Sequence, residues 1–166
     1  SLAWKLAATG ACVAVCLAVG GAQQTPGTEA GSLGGMPWRY IGPEGNRVSA
    51  VAGVPGDPLV YYAGSASGGI HKSVDGGTTW DPIFDDQHVQ AIGDIAVSPS
   101  DPSTVWAGTG ESCIRSHISV GEGIFKSTDG GLTWKPMGLE KTGAIGRIVV
   151  HPTDPNIVYV AALGQP

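Results

Sequence analysis

The chain is poor in charge, in sulfur and in large aliphatic runs. Only 14% of its 166 residues are Asp, Glu, Lys or Arg. Cations are the scarcest of these: nine Lys and Arg face 14 Asp and Glu, for a net charge of −5 with His neutral. A phosphate backbone is gripped by clustered Lys and Arg, so nucleic acid is excluded as a partner class. Of three cysteines, Cys12 and Cys16 lie in the apolar first 22 residues and Cys113 stands alone after them. No disulfide framework therefore holds the fold in this segment. Cys113 reads either as an inert loop thiol or as half of a pair whose partner lies beyond the sequence given. No stretch repeats its apolar residues at helical spacing, which argues against a helical bundle.

The single sustained apolar run is residues 6–19, preceded by Lys5 and followed by Gly20-Gly21-Ala22. One cation, a short apolar stretch and small residues before Gln23 match a secretory signal over residues 1–22, and the run is short for a membrane span. An uncleaved amino-terminal anchor is the alternative. Cleavage after Ala22 leaves eight Lys and Arg against 14 Asp and Glu, a net of −6. The expected location is secreted or periplasmic, with no membrane association after cleavage. Residues 23–37, rich in Gly, Thr, Ser and Ala, read as a flexible linker. The folded part is expected from Trp38 onward. Because the sequence opens at Ser1 and stops within a third repeat, it reads as the amino-terminal piece of a longer protein.

What is abundant is glycine, 27 residues, and two turn motifs that recur. Ser73-Val74-Asp75-Gly76-Gly77-Thr78-Thr79-Trp80 returns 54 positions later as Ser127-Thr128-Asp129-Gly130-Gly131-Leu132-Thr133-Trp134, with six of eight residues identical. Paired glycines supply the positive φ of a tight reversal, Asp accepts backbone N–H groups, the hydroxyls pin the turn and Trp anchors its end. A Pro-x-Asp-Pro turn occurs three times, at residues 55–58, 99–102 and 152–155. Proline fixes φ and Asp caps, so each is a reversal between strands.

These turns punctuate a repeat of short strands. First strands are expected at residues 47–54, 91–97 and 145–150, and second strands carry Tyr61-Tyr62, Val105-Trp106 and Val158-Tyr159. Third strands at 69–73 and 123–127 run into the glycine-rich turn, and fourth strands are expected at 80–83 and 134–137. Four short strands at a period of 44 residues, from Asp57 to Asp101, mark a β-propeller blade. The expected class is all-β: two four-stranded antiparallel blades, at about 47–84 and 91–137, plus the first strands of a third at about 145–162, within a partial propeller spanning 38–166. The remaining blades of the same protein are its expected packing partners. Trp80 and Trp134 are expected in equivalent surroundings.

The Ser-x-Asp-Gly-Gly-x-Thr-Trp element resembles the Asp-box, or bacterial neuraminidase repeat, of sialidases, xyloglucanases, photosystem assembly factors and sortilin-type domains. Residues 123–134, with Ile145-Gly146-Arg147-Ile148 and His151-Pro152-Thr153-Asp154-Pro155, resemble large secreted bacterial propellers of the glycosyl hydrolase or sortilin-like kind. The resemblance implies fold more than chemistry. It implies either a sortilin-like propeller that binds a polypeptide or other ligand, the favoured reading, or a secreted glycoside hydrolase acting on carbohydrate. Against a hydrolase, xyloglucanase-like sequences carry an Asp before the Gly-Gly of the first blade's third strand, where this chain has Gly64-Ser65-Ala66-Ser67-Gly68-Gly69. A sialidase arginine triad cannot be assembled from Arg39, Arg47, Arg115 and Arg147.

Alternating strands sort the loops onto two sides. The Pro-x-Asp-Pro turns and both eight-residue motifs share the structural side, while ligands are expected on the other. There the second repeat carries ten extra residues between Gly108 and Gly123. Long loops on rigid scaffolds carry function disproportionately, so Glu111, Arg115 and His117 are ligand-face candidates, with a blade-to-blade brace as the alternative for Arg115. Asp94 and Arg147, at matching places on successive first strands, are candidates too, against a structural ion pair. Arg47 shares that reading. Asp85, Asp86 and His88 carry donors for a divalent cation but read as a solvated acidic turn, and His71 and His151 as packing residues. No metal and no cofactor is expected, and no catalytic residue is assigned. Asp75 and Asp129 are set aside as catalysts, because their turn commits their oxygens to hydrogen bonds.

Overall fold

The computed structural model describes residues 42–43, 47–113 and 116–164. The expected signal, the linker, the start of the folded part at 38–41 and Arg115 lie outside the described residues.

Every described element is a strand. The Pro55-Gly56 reversal joins β1 (Val48–Val54) to β2 (Asp57–Ser65), and β3 (Ile70–Ser73) and β4 (Asp81–Pro82) complete an antiparallel sheet in the order β1-β2-β3-β4. The second repeat builds the same sheet from β5 (Ile92–Val97), β6 (Val105–Thr109), β7 (Ile124–Ser127) and β8 (Lys135–Pro136). A third unit pairs β9 (Thr142–Val150) with β10 (Val158–Gly164). β1 packs on β5 and β5 on β9, so the sheets stand side by side with their first strands innermost, as blades of a β-propeller do.

The repeated turns work through aspartate. Asp57 accepts the N–H of Leu59 at 3.0 Å, Asp101 that of Ser103 at 3.2 Å and Asp154 that of Asn156 at 2.9 Å. In each case the carboxylate replaces a ladder partner where the chain turns away.

Side-chain alternation then divides each strand between two neighbours. On β2, Tyr62 points toward the second blade, while Tyr61 and Ala63 line the opposite face. On β6, Val105 and Ala107 face the first blade and Trp106 faces the third unit. The first interblade core gathers Tyr62, Ile70 and Phe84 against Ile92, Ile95, Val105, Phe125 and Trp134. Phe84 meets Phe125 and Trp134 edge-on, with centroids 5.4 and 5.2 Å apart. A second core sets Trp106 and Ile124 against Ile145, Ile148 and Val150. Each large side chain removed from water stabilises the stack by about 1.5–3 kcal/mol. The fit has a repeated lock: a Cβ on Gly64 would overlap Ile92, and one on Gly108 would overlap Ile145. A glycine on each second strand thus admits the isoleucine of the next blade's first strand.

All three innermost strands carry a bulge at the same place. Register shifts fall between Val48 and Ala50, between Ile92 and Asp94, and between the partners of Ala161 and Ala162. The residues skipped are Ser49, Gly93 and Gly146. Bulges bend a strand and sharpen its twist, which turns each strand onto its neighbour. Ser49 Oγ donates across the blade boundary to Ile92 O at 2.5 Å, and a Cβ on Gly93 would collide with Ile145 O.

Two expectations need correction. The fourth strands are two residues each, because Thr79 and Thr133 turn back to bond the aspartates and the chain extends only afterwards. Trp80 and Trp134 therefore belong to the turns. Their surroundings also differ: Trp134 is buried with Nε1 donating to Ile83 O at 2.8 Å, whereas Trp80 is half-buried with Nε1 on its own turn, Gly77 O, at 3.0 Å. Trp134 leans on the first blade, and no blade among the described residues occupies the matching place beside Trp80.

Candidate functional site

The most conspicuous carboxylates are structural. Asp75 Oδ1 accepts the Ser73 hydroxyl at 2.8 Å and the N–H groups of Thr78 and Thr79 at 2.9 Å each, and Oδ2 accepts the Thr79 hydroxyl at 2.8 Å. Asp129 repeats this with Ser127 and Thr133 at 2.5 to 2.9 Å. The glycines after each aspartate have φ between 68 and 93°, and the N–H of the second bonds back to the serine at 2.8 Å. Donors converge on the ionised form and hold both carboxyls at about 2, for Asp75 chiefly through the N–H and hydroxyl of Thr79 and for Asp129 through the hydroxyl and N–H of Thr133. An acid so depressed cannot donate a proton near neutrality.

The loop between β6 and β7 stands on the other side. Its neck is tied by Thr109: the hydroxyl donates to Gly123 O at 2.7 Å and accepts from Glu122 N at 2.8 Å. Glu111 N bonds Ser119 O, Gly110 N bonds Ala91 O, and Gly121 N reaches Gly143 O at the start of the third unit, each at 2.8 Å. The loop is thus fixed at both ends and tied to the third unit. Its exposed part carries Cys113, Ser116, His117, Ile118 and Val120.

Glu111 sits elsewhere than expected. It is buried, 2% exposed, and its carboxylate is ion-paired with the guanidinium of Arg47 at the start of the first blade. The brace considered for Arg115 is made here by Glu111 and Arg47, which are 64 residues apart in sequence. His117 is exposed on the loop.

Asp94 and Arg147 meet across the next boundary. Asp94 Oδ2 accepts Ile148 N at 2.6 Å and lies 4.0 Å from Arg147 Nε. The Asp94 side chain is 12% exposed and that of Arg147 is 74% exposed. The carboxylate is committed to the backbone of the third unit, and the guanidinium remains open to solvent.

The other candidates stay apart. Asp85, Asp86 and His88 are exposed, and among the described residues no three His, Cys, Asp or Glu side chains gather in a metal-binding group. His71 is buried within β3 with Nδ1 unpaired, and His151 accepts Thr153 N at 3.3 Å. An open groove of about 270 Å³ lies on the first blade, lined by Pro43, Val48, Val51, Tyr61, Ala63 and Trp80 among others. It belongs to the blade's flank.

Sequence reading overlooked a repeated interblade contact. Lys72 lies over the Tyr62 ring at 5.4 Å, and both donate to Gly130 O, at 2.8 and 3.0 Å. Lys126 lies over Trp106 at 5.1 Å and donates to Asn156 Oδ1 at 2.6 Å, while Trp106 Nε1 reaches Pro155 O at 3.0 Å. The signal was available: a lysine precedes the motif serine in both repeats.

The chain matches no protein-family model and no curated protein. Among solved structures it is similar to a GH74 enzyme of Niastella koreensis, with a TM-score of 0.54 and 23% identity over 69% of this chain and 17% of that one. It is also similar to an ancestral GH74 enzyme, with a TM-score of 0.57 and 23% identity over 74% of this chain and 17% of that one. The sequence given thus spans 17% of the length of these structures. The likeness is one of fold, and agrees with the stacked four-stranded sheets.

Proposed function

We propose that these blades belong to an exported, glycoside hydrolase-like propeller and supply one wall of its carbohydrate-binding face. Two supports are independent of each other. The structural neighbours are named GH74 enzymes, and the one large departure from the repeat is the loop over residues 109–123 on the side opposite the turns. That loop carries the reading: its neck is hydrogen-bonded, its base is braced by Glu111 and Arg47, and its tip offers His117, Ser116 and two exposed aliphatics. A loop anchored at its neck and carrying mixed polar and apolar groups suits a sugar surface.

Catalysis is not assigned to these blades. Glycoside hydrolysis needs two carboxyls facing one bond, and Asp75, Asp94, Glu111 and Asp129 are each engaged in structural bonds. A second reading, which rests on the sequence resemblance alone, is a sortilin-like propeller that binds a polypeptide without turnover. The discriminating experiment presents the secreted protein with a polysaccharide panel and a peptide panel. Release of reducing sugar supports the hydrolase, and saturable peptide binding without turnover supports the second reading. Replacing residues 112–118 by a short Gly/Ser linker, with Glu111 kept, is expected to abolish ligand binding while leaving the thermal midpoint nearly unchanged. Undiminished binding would remove the loop from the site.

A further inference from the structure

The second repeat differs from the first in how closely its ligand-side segments approach one another. Ala66 and Gly110 hold equivalent places, each donating its N–H at 2.8 Å to the residue before a first strand, Arg47 O and Ala91 O. The first blade accepts a side chain there. In the second blade a Cβ on Gly110 would overlap Gly143 O. Gly69 and Gly123 form another such pair. A Cβ on Gly69 would meet the end of the Gln90 side chain, which can move, whereas one on Gly123 would strike the backbone of Gly138, Leu139 and Glu140. The extra loop is thus seated backbone to backbone on the connector from β8 to β9, and Gly121 N closes the seam on Gly143 O at 2.8 Å.

Leu139 sits in that seam with φ of 63°, the one non-glycine residue among the described residues in the left-handed region. Its carbonyl is held twice, by Thr142 N at 2.9 Å and by the Thr142 hydroxyl at 2.7 Å. Glycine adopts this conformation without steric cost, as Gly138 does beside it at φ 101°. The leucine side chain gains little from the protein in return, because it is 44% exposed. The matching connector of the first blade, with Asp85 and Asp86, has no such residue and no long loop against it. A strained backbone that carries an unburied apolar side chain points to a partner outside the fold.

We propose that, given the carbohydrate-binding reading, Leu139 is a ligand-contacting residue that lays its aliphatic side chain against the C–H face of an uncharged sugar unit bound along the seam. Val120, 46% exposed, issues from the loop side one residue before Gly121 and offers a second apolar group. A pyranose ring has an apolar C–H face and a rim of hydroxyls, so aliphatic side chains set among polar ones suit it. The polar groups also select against charge. Exposed Glu122 and Glu140 stand on the two sides of the seam, with Lys141 beside Glu140. Two carboxylates against one ammonium repel a carboxylated sugar, yet accept hydrogen bonds from the hydroxyls of an uncharged one.

The test measures calorimetric binding of the full-length protein to uncharged β-glucan, galactomannan and xylan and to polygalacturonate, alongside thermal unfolding. Leu139→Gly should weaken binding to the uncharged polymer at least about tenfold, the scale of one lost aliphatic contact. Its thermal midpoint should stay level or rise, because glycine relieves the left-handed strain. Leu139→Met, which keeps an apolar side chain, should retain most of the affinity. Leu132→Ala, on the turn side where the side chain is 79% exposed, should alter neither quantity. A Leu139→Gly variant that binds as the parent does overturns the proposal and leaves the carbohydrate reading standing. So does a fall in midpoint that accompanies the lost binding, since Leu139 would then be a packing residue. Tighter binding to polygalacturonate than to any uncharged polymer overturns it as well. A parent protein that binds none of the four removes the carbohydrate reading and this proposal with it.

Discussion

The two eight-residue turns share six residues and nearly every internal hydrogen bond, yet one ends in a buried tryptophan and the other in a half-buried one. Their serine-to-aspartate bonds are 2.8 and 2.7 Å, and their glycine-to-serine bonds are both 2.8 Å. The difference lies wholly in what stands beside them. Trp134 has Phe84 at 5.2 Å and the Ile83 carbonyl for its indole N–H, whereas Trp80 bonds back to Gly77 O. Local sequence therefore dictates the turn, and the neighbouring blade dictates how much the turn contributes to stability.

The sharpest way to break that contrast is to remove each indole. Trp134→Ala should cost about 3–5 kcal/mol, the range for deleting a large buried aromatic, and should leave Ile83 O without its partner. Trp80→Ala should cost about 1–2 kcal/mol, because a half-buried ring surrenders less area. Urea unfolding of both variants checks this. Equal losses would mean that the first turn is as well covered as the second.

Much of the fold was legible because its signals are local. Paired glycines, the aspartate two residues after serine and the repeated Pro-x-Asp-Pro turns each act within a few residues, and every expected strand is present. The first strand of the third unit begins at Thr142, three residues earlier than expected. The bulges at Ser49, Gly93 and Gly146 escaped notice although each breaks the alternation: Ile92 and Ile95 share one core, and Ile145 and Ile148 another, at a spacing of three rather than two or four. The candidate site was harder for a different reason. Glu111 looked like an exposed loop acid, and only the packing of the first blade on the second brings Arg47 to it across 64 positions. Asp94 was placed beside Arg147 by counting repeats, but its bond to Ile148 N depends on how deeply one strand sits against the next. Contacts that follow the repeat can be counted out in advance, and contacts that cross a boundary require the interface.

A smaller contrast should appear at the second glycine of each turn. Gly77 and Gly131 have φ of 87 and 93°, which an L side chain adopts with strain. Alanine at either position should cost about 1–2 kcal/mol for the backbone alone. At Gly131 the new methyl also meets Ile83 Cδ1 at 2.5 Å, against 3.6 Å to Trp80 at Gly77. Because Ile83 can change rotamer, the added penalty should be only about 1 kcal/mol. Thermal unfolding of the Gly77→Ala and Gly131→Ala pair reads the difference directly.

The smallest expected effect is one in which the two turns behave alike. Asp75 and Asp129 are both held at about 2, against an ordinary carboxylate value of 3.8, by donors inside their own turns. A depressed carboxyl stabilises the folded state fully above its unfolded value, and that contribution fades as pH falls toward and through about 2. Both groups face solvent, so the effect on overall stability is small and best read residue by residue. Carboxyl-carbon NMR titration should find both midpoints near 2, and Thr79→Val and Thr133→Val should raise each by a similar amount. A midpoint for Asp129 well below that of Asp75 would show the first blade reaching into the turn electrostatically. Lys72 is the group placed to do so, because its ammonium already donates to Gly130 O, one residue beyond Asp129. Equal midpoints would confine the influence of the neighbour to the tryptophan and the glycine, where the packing differs.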